Sequence, residues 1–290
     1  MPPRNIHRLQ LPSRAIVLGE RTLIMGVLNV TPDSFSDGGK FFDVKRAVAH
    51  ALAIQRDGAD ILDIGAESTR PGSLPISAAE ELRRLLPVLA ALRGKLKIPI
   101  SVDTQKSSVA EIAIGAGAEI INDISGLKND PRIAAVAARH RVPLILMHIR
   151  GVPRTMQKKP FAKDVMKDVA SGLRASIAAA RKAGVAKNRI ILDPGIGFGK
   201  SFSQNYELIA RLAEIAKLGY PLLVGTSRKG FLGATLAREG KSAPVEERIW
   251  ATAATVAASI LNGAHIVRVH DVNEMAQVAR AADFVLDSSL

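Results

Sequence analysis

The chain has 290 residues, 47% of them hydrophobic, and a net charge of +13 from 40 basic and 27 acidic side chains. This hydrophobic share is ordinary for a globular protein and excludes a disordered chain. The absence of cysteine excludes disulfides, thiolate catalysis and cysteine-ligated metal. No window approaches about 18 uncharged apolar residues, and residues 1–14 lack a signal-peptide core. We therefore expect a cytoplasmic protein without a membrane partner.

The basic residues are scattered over the predicted helices and form no long run. A basic stripe would indicate a nucleic-acid partner, whereas scattered charge favours a solvated surface. We expect no nucleic-acid partner. The positive field would still accelerate the capture of small anionic substrates.

In chain order, residues 1–22 form an extension that we expect to fold as a short hairpin or a plug. Residues 23–290 follow as one domain in which apolar strands alternate with helices. Three segments share one pattern, with a Gly that ends a helix, an apolar strand and a polar exit residue: 58–63, 117–122 and 263–268. Five further apolar runs predict strands: 23–28, 98–102, 142–147, 190–192 and 221–224. Apolar residues at helical spacing predict helices between them, including 78–92, 161–183, 203–217, 244–262 and 272–286.

Eight strands that alternate with helices predict a (β/α)8 TIM barrel, with a doubly wound open sheet as the alternative. Catalytic groups of such barrels lie where the strands end. The polar exit residues should therefore form a ring around one mouth: Asn29, Asp103, Asn122, His148, Asp193, Ser227 and Arg268. Asp63 lies inside the second strand, where we expect a structural hydrogen-bonding role.

The stretch 192–200, LDPGIGFGK, follows an apolar run and places three glycines after Asp193. Pro194 stands where a P-loop needs glycine, and Lys200 stands where a dinucleotide fingerprint needs one, so both nucleotide motifs fail. A carboxylate at a strand exit can instead accept paired hydrogen bonds from an N–H and NH2 edge. That edge is typical of a pterin.

Seven motifs occur in order, each at a predicted strand end: VLNVTPDSFSDGG, AESTRPGS, SVDT, INDISG, DPGIGFGK, TSRKGF and RVHD. Together they resemble the dihydropteroate synthase family of folate biosynthesis, over about residues 23–287. The resemblance implies that 6-hydroxymethyl-7,8-dihydropterin diphosphate and 4-aminobenzoate condense to 7,8-dihydropteroate and pyrophosphate. It also implies a homodimer, a sulfonamide target and a Mg2+ cofactor. A silent pterin-binding homologue and a pterin-dependent methyltransferase are the alternatives.

The resemblance also implies a role for each site residue. The pterin would be bound by Asp103, Asn122, Met147, Asp193, Phe198 and Lys229. The diphosphate would be bound by Asn29, Arg268 and His270, and Asn29 would also be the metal ligand. The catalytic residues would be Lys229, Arg268 and His270. The aminobenzoate would contact Thr69, Arg70, Pro71 and Ser227, in a site lined by the loops 31–42 and 68–76.

Overall fold

The structure, a computed structural model, describes residues 4–31, 44–158, 160 and 162–288. The strands are β1 His7–Gln10, β2 Ala15–Leu18, β3 Leu23–Asn29, β4 Ile61–Gly65, β5 Ile100–Asp103, β6 Ile120–Asp123, β7 Leu144–Met147, β8 Ile190–Asp193, β9 Leu223–Val224 and β10 Ile266–Val269. The α-helices are α1 Val44–Arg56, α2 Ala78–Leu92, α3 Ser107–Gly115, α4 Ile133–His140, α5 Val165–Lys182, α6 Phe202–Ala210, α7 Leu212–Ala216, α8 Gly230–Thr235, α9 Ile249–Leu261 and α10 Val272–Asp287.

The strands β3 to β10 form one parallel sheet, in which each strand pairs with its neighbour in sequence and β10 returns to β3. A single parallel bridge between Leu192 and Leu222 joins the end strands β8 and β9 and closes the ring. Helices lie between successive strands. The predicted (β/α)8 barrel is therefore confirmed, and the open-sheet alternative is wrong because such a sheet would leave both edges unpaired.

Two apolar layers hold the barrel together. Outward-facing strand residues such as Leu28, Leu62 and Val102 pack against the apolar faces of the helices. Inward-facing residues near the strand starts form a smaller cluster inside the barrel: Leu23, Met25, Ile61, Ile120, Ile145, Ile191, Leu223 and Ile266. Because successive strand residues point to opposite faces, both layers come from the same short apolar runs.

Residues before the barrel form the antiparallel hairpin of β1 and β2. Its Leu9, Leu11 and Leu18 are almost fully buried against the inner cluster. The hairpin thus covers the end of the barrel at which the strands begin. The polar strand exits lie at the opposite end.

Two of the predicted helices differ in detail from the observed ones. The segment 203–217 is two helices, α6 and α7, which meet at Arg211 where the backbone leaves the helical region (φ −105, ψ 19). The segment 244–262 begins with a 3-10 turn, Val245–Arg248, before α9. No helix in the described part of the chain is long and apolar enough to span a membrane.

Candidate active site

The carboxyl ends of the barrel strands carry most of the predicted site. The strand register brings one residue from each of β3 to β6 to the same level: Asn29, Gly65, Asp103 and Asn122. On β7 and β8, Met147 lies opposite Asp193 in the same way. Residues that are far apart in sequence thus share one mouth, because parallel strands all end on the same side.

A buried network of charged side chains lies inside this mouth. Arg268 on β10 donates from Nε to Asp63 Oδ2 at 2.7 Å and from Nη2 to Asp103 Oδ2 at 2.9 Å. Asn122 Nδ2 donates to the same Asp63 oxygen at 3.1 Å. Asp63, expected only to support the fold, thus orients two predicted substrate-binding residues and belongs to the candidate site.

Burial sets the proton affinity of this network. It raises the pKa of Asp103, and the Arg268 guanidinium opposes that rise. One layer below, Asp63 Oδ1 and Ser101 Oγ are buried and have no hydrogen-bond partner among the described residues. Because buried polar atoms are seldom left unpaired, the network retains hydrogen-bonding capacity for a polar ligand.

Asp193 stands at the end of β8 and is 6% exposed. One carboxylate oxygen, Oδ1, accepts the Gly195 N–H at 2.7 Å, and the other makes no hydrogen bond with the residues that the structure describes. Burial raises the pKa of Asp193, while the positive charge of Lys229 lowers it. The free oxygen is thus a hydrogen-bond acceptor beside a cation.

Lys229 and Phe198 form the adjacent wall. The Lys229 ammonium lies 4.5 Å from the centre of the Phe198 ring and donates a hydrogen bond to the Ile196 carbonyl. Burial lowers the pKa of Lys229 to about 8. Phe198 packs against a small apolar cluster that consists of Ile124, Met147, Ile149 and Met156. This arrangement provides one flat apolar surface with a cation at its edge.

Lys200 was not assigned a role from sequence, yet it organises the glycine stretch. It is 1% exposed, and its Nζ donates to the carbonyls of His148, Gly195 and Phe198 at 2.9, 2.8 and 3.1 Å. Three carbonyls match the three donors of an ammonium group. Burial lowers the pKa of Lys200 to about 7. The only signal in the sequence was a lysine directly after the glycine stretch, and one of its three carbonyl partners, that of His148, lies outside this stretch.

His148 does not join the predicted ring. Its side chain is 4% exposed; its Nδ1 lies 3.0 Å from Lys200 Nζ, and its ring packs against Gly172 on α5. The expectation that it faces the mouth is wrong. As the first residue after β7 it continues the alternation of the strand, and Met147 occupies the inward position.

Ser227 and His270 form a polar pair next to Arg268. Ser227 Oγ lies 3.0 Å from His270 Nδ1 and accepts the backbone N–H of His270 at 3.2 Å. Burial lowers the pKa of His270 to about 3, and Arg268, Arg228 and Arg70 add to that effect. A neutral ring that accepts from Ser227 at Nδ1 carries its proton on Nε2, which can donate to an anion.

Asn29 fits a role as a hard oxygen ligand. Its side chain makes no hydrogen bond with any residue in the described part of the chain. Its Oδ1 and Asp103 Oδ2 lie 3.8 and 3.7 Å from the point where a Cβ on Gly65 would sit. Mg2+ takes few protein oxygens and completes its shell with water and phosphate. The donor set present is therefore compatible with that ion.

The loop after β4 carries the remaining predicted contacts. Thr69 is partly exposed, and Arg70 and Pro71 are exposed. The tip of the loop is held by a hydrogen bond from the Gly72 N–H to the Pro153 carbonyl at 3.2 Å. Of the other predicted loop, 31–42, all but Thr31 lies outside the described residues.

Comparison with known proteins identifies the family. The family described as "Pterin binding enzyme" matches residues 25–270. A dihydropteroate synthase of Synechocystis is 49% identical over 265 residues, which is 91% of this chain and 90% of the relative.

Two solved structures have the same fold. A Yersinia pestis dihydropteroate synthase with a sulfonamide drug complex has a TM-score of 0.89 and 40% identity, and covers 97% of this chain and 99% of its own. A Xanthomonas albilineans dihydropteroate synthase with 4-aminobenzoic acid has a TM-score of 0.88 and 41% identity, with coverage of 97% and 98%. The chain therefore belongs to the pterin-binding enzyme family and, within it, to the dihydropteroate synthases.

Proposed function

We propose that this protein joins 6-hydroxymethyl-7,8-dihydropterin diphosphate to 4-aminobenzoate and releases pyrophosphate, with Mg2+ as cofactor. The observation that carries the proposal is a set of two carboxylates and an amide, Asp103, Asn122 and Asp193, beside the cations Arg268 and Lys229. Asn122 and Asp193 are buried, and the Asp103 side chain is only 10% exposed. The carboxylates and the amide match the polar edge of a neutral heterocycle, and the two cations match an anionic tail attached to it.

The pterin ring would lie between the acceptors and the apolar wall. The free oxygen of Asp193 would accept from the N–H and NH2 edge, and Asn122 and Asp103 would serve the remaining polar atoms. Phe198 and Met147 would cover the flat face. Lys229, which lies near Asp193, would donate to a ring acceptor.

The diphosphate would lie nearer the surface, against Arg268, His270 and Asn29. Arg268 carries donors beyond the two that bind Asp63 and Asp103. His270 would donate from Nε2 while Ser227 fixes the ring. A bound Mg2+, held by Asn29, would neutralise charge on the phosphate oxygens.

The aminobenzoate would enter beside Ser227 and the loop residues Thr69, Arg70 and Pro71. Its amine nitrogen attacks the pterin methylene carbon, and the electron pair of the breaking C–O bond leaves with the diphosphate. The new C–N bond replaces the C–O bond, and the nitrogen then loses a proton to solvent. Arg268 and His270 stabilise the charge of the departing group, so the protein acts by positioning and electrostatics.

A pyrophosphate-release assay tests the proposal. Purified protein is mixed with the pterin diphosphate, with and without 4-aminobenzoate, and the product is identified by mass spectrometry. We expect release that depends on 4-aminobenzoate and a product with the mass of 7,8-dihydropteroate. The Asp193→Asn variant, purified in the same way, controls for contaminating host enzyme.

The alternatives give different results in the same assay. A silent pterin-binding homologue would bind the pterin without releasing pyrophosphate. A pterin-dependent methyltransferase would be inactive here and would consume a methylated pterin instead. Either result would refute the proposed reaction.

We also propose that the protein is a cytoplasmic homodimer. Trp250 on α9 and Phe284 on α10 are 81% and 68% exposed, and these two helices pack side by side. Large exposed apolar side chains on adjacent helices are typical of an interface. Sedimentation equilibrium should give twice the 30.9 kDa chain mass, and Trp250→Glu should give the monomer.

A further inference from the structure

The loop that carries Thr69, Arg70 and Pro71 is closed at its base by one side chain. Glu67 Oε1 accepts the backbone N–H of Ile76 at 2.9 Å, so the residue before the loop holds the residue that ends it. Arg84 of α2 donates to the Ala66 carbonyl at 3.1 Å and fixes the strand exit beside it. Glu67 therefore holds the two ends of the loop together.

The second oxygen of Glu67 binds Lys106. The distance from Lys106 Nζ to Glu67 Oε2 is 2.6 Å, and the same Nζ lies 2.6 Å from Glu81 Oε2 on α2. The three side chains are 9%, 21% and 1% exposed for Glu67, Lys106 and Glu81, so this cluster is largely shielded from water. Ion pairs held in this way are far less screened than pairs on the surface.

Lys106 comes from the segment that also carries the pterin site. It is the third residue after Asp103, and its own backbone N–H donates to Thr104 Oγ1 at 3.3 Å. The Thr104 N–H in turn donates to the Asn122 carbonyl at 3.1 Å. Two predicted pterin ligands are thus linked through a short chain of bonds to the cation that holds Glu67.

From this arrangement we propose that Lys106 is a positioning residue that fixes the aminobenzoate loop relative to the pterin-binding strand ends, with Glu67 and Glu81 as its anchors. The inference rests on the proposed function of the site. Lys106 touches neither substrate. It acts through Glu67, which sets where the loop begins and ends.

The first test is the Lys106→Met variant. We expect the KM for 4-aminobenzoate to rise about tenfold, while the affinity for 6-hydroxymethylpterin changes less than twofold. Hydrogen exchange at the Ile76 amide should accelerate, because that N–H depends on a fixed Glu67. Lys106→Arg keeps the charge, so its KM for 4-aminobenzoate should lie close to that of the wild type.

Removing Lys106 also strands the Glu81 carboxylate in a buried position, which could impair folding for reasons unrelated to the loop. The double variant Glu81→Gln with Lys106→Met removes that charge, and we expect the raised KM to persist in it. Arg211→Met is the matched control, since Arg211 also bridges two glutamates, Glu207 and Glu214, on the outer surface. It should leave KM and pterin affinity unchanged.

Two results would overturn the inference. One is a Lys106→Met variant in which pterin affinity falls by the same factor as the KM for 4-aminobenzoate rises. The other is a wild-type KM in the double variant, which would show that the stranded charge caused the defect. If the wild-type protein itself forms no product, the proposed function fails, and exchange at Ile76 still tests whether Lys106 holds the loop.

Discussion

Replacement of Lys200 by methionine tests whether the buried ammonium of this one side chain fixes the conformation of the glycine stretch. The change keeps the length of the side chain and removes its three hydrogen bonds to carbonyls. The Gly195 oxygen still accepts the Phe198 N–H at 3.1 Å. No other donor among the described residues binds the oxygens of His148 and Phe198, so these two groups lose their hydrogen bonds.

A buried carbonyl left without a donor costs about 1–3 kcal/mol. Two such groups give about 2–6 kcal/mol, and removal of the desolvated lysine offsets part of this cost. We therefore expect the free energy of unfolding to fall by about 2–4 kcal/mol, a large share of the roughly 5–15 kcal/mol typical of a folded domain. Urea unfolding monitored by circular dichroism measures this change.

The exposed Lys95 provides the control, and Lys95→Met should stay within about 0.5 kcal/mol of the wild type. Calorimetric titration of the Lys200→Met variant with 6-hydroxymethylpterin should also show weaker binding, since Phe198 belongs to the released segment. A loss of stability below about 0.5 kcal/mol, with unchanged pterin affinity, would refute the idea that Lys200 supports the pocket.

Three further predictions concern other parts of the molecule. Asp193→Asn places an amide donor against the donors of the pterin, at a cost of about 1–3 kcal/mol, so titration should show about a fivefold to 150-fold loss of pterin affinity with unchanged thermal stability. Arg268→Lys keeps the positive charge but loses the planar fork that can bind two phosphate oxygens, so pyrophosphate affinity should fall more than pterin affinity in the same titration; an unchanged pyrophosphate affinity would contradict the assignment. Burial lowers the pKa of His265 to about 4, below its value near 6.5 in the unfolded chain. The neutral His265 therefore contributes fully to the free energy of unfolding above pH 6.5, and this contribution is lost as the pH falls towards 4. Between pH 7 and pH 5 the wild type should therefore lose about 2 kcal/mol more stability in urea unfolding than His265→Gln; equal slopes would mean that His265 is not held neutral.

The barrel could be predicted from sequence because its signal is repeated. Three units show a helix-ending Gly, a short apolar strand and a polar exit, and five further apolar runs bring the predicted strands to eight, which favours a (β/α)8 barrel. The break between α6 and α7 carried no such signal. Leu208, Leu212 and Ile215 keep helical spacing across Arg211, so the apolar pattern reads as one helix.

The candidate site was predictable at the strand exits and not beneath them. Asp103, Asn122 and Asp193 could be located because a polar residue after an apolar run is visible in the sequence. The roles of Asp63 and Lys200 depend on partners from other strands, Arg268 for one and the carbonyl of His148 for the other. His148 was misplaced because the alternation of β7 decides its direction, and one residue more or less in the strand reverses it.

The pairing of β3 with β10 has a consequence for synthesis of the chain. Leu23 and Ile266 are partners in register, and Asp283 on α10 accepts hydrogen bonds from the Thr22 N–H and from Arg4, both at 2.7 Å. During synthesis on the ribosome, β3 is made long before its partner β10. Until β10 is complete, one edge of β3 stays open and could pair with another chain. We expect a product that stops before α10 to aggregate and to have no partial activity.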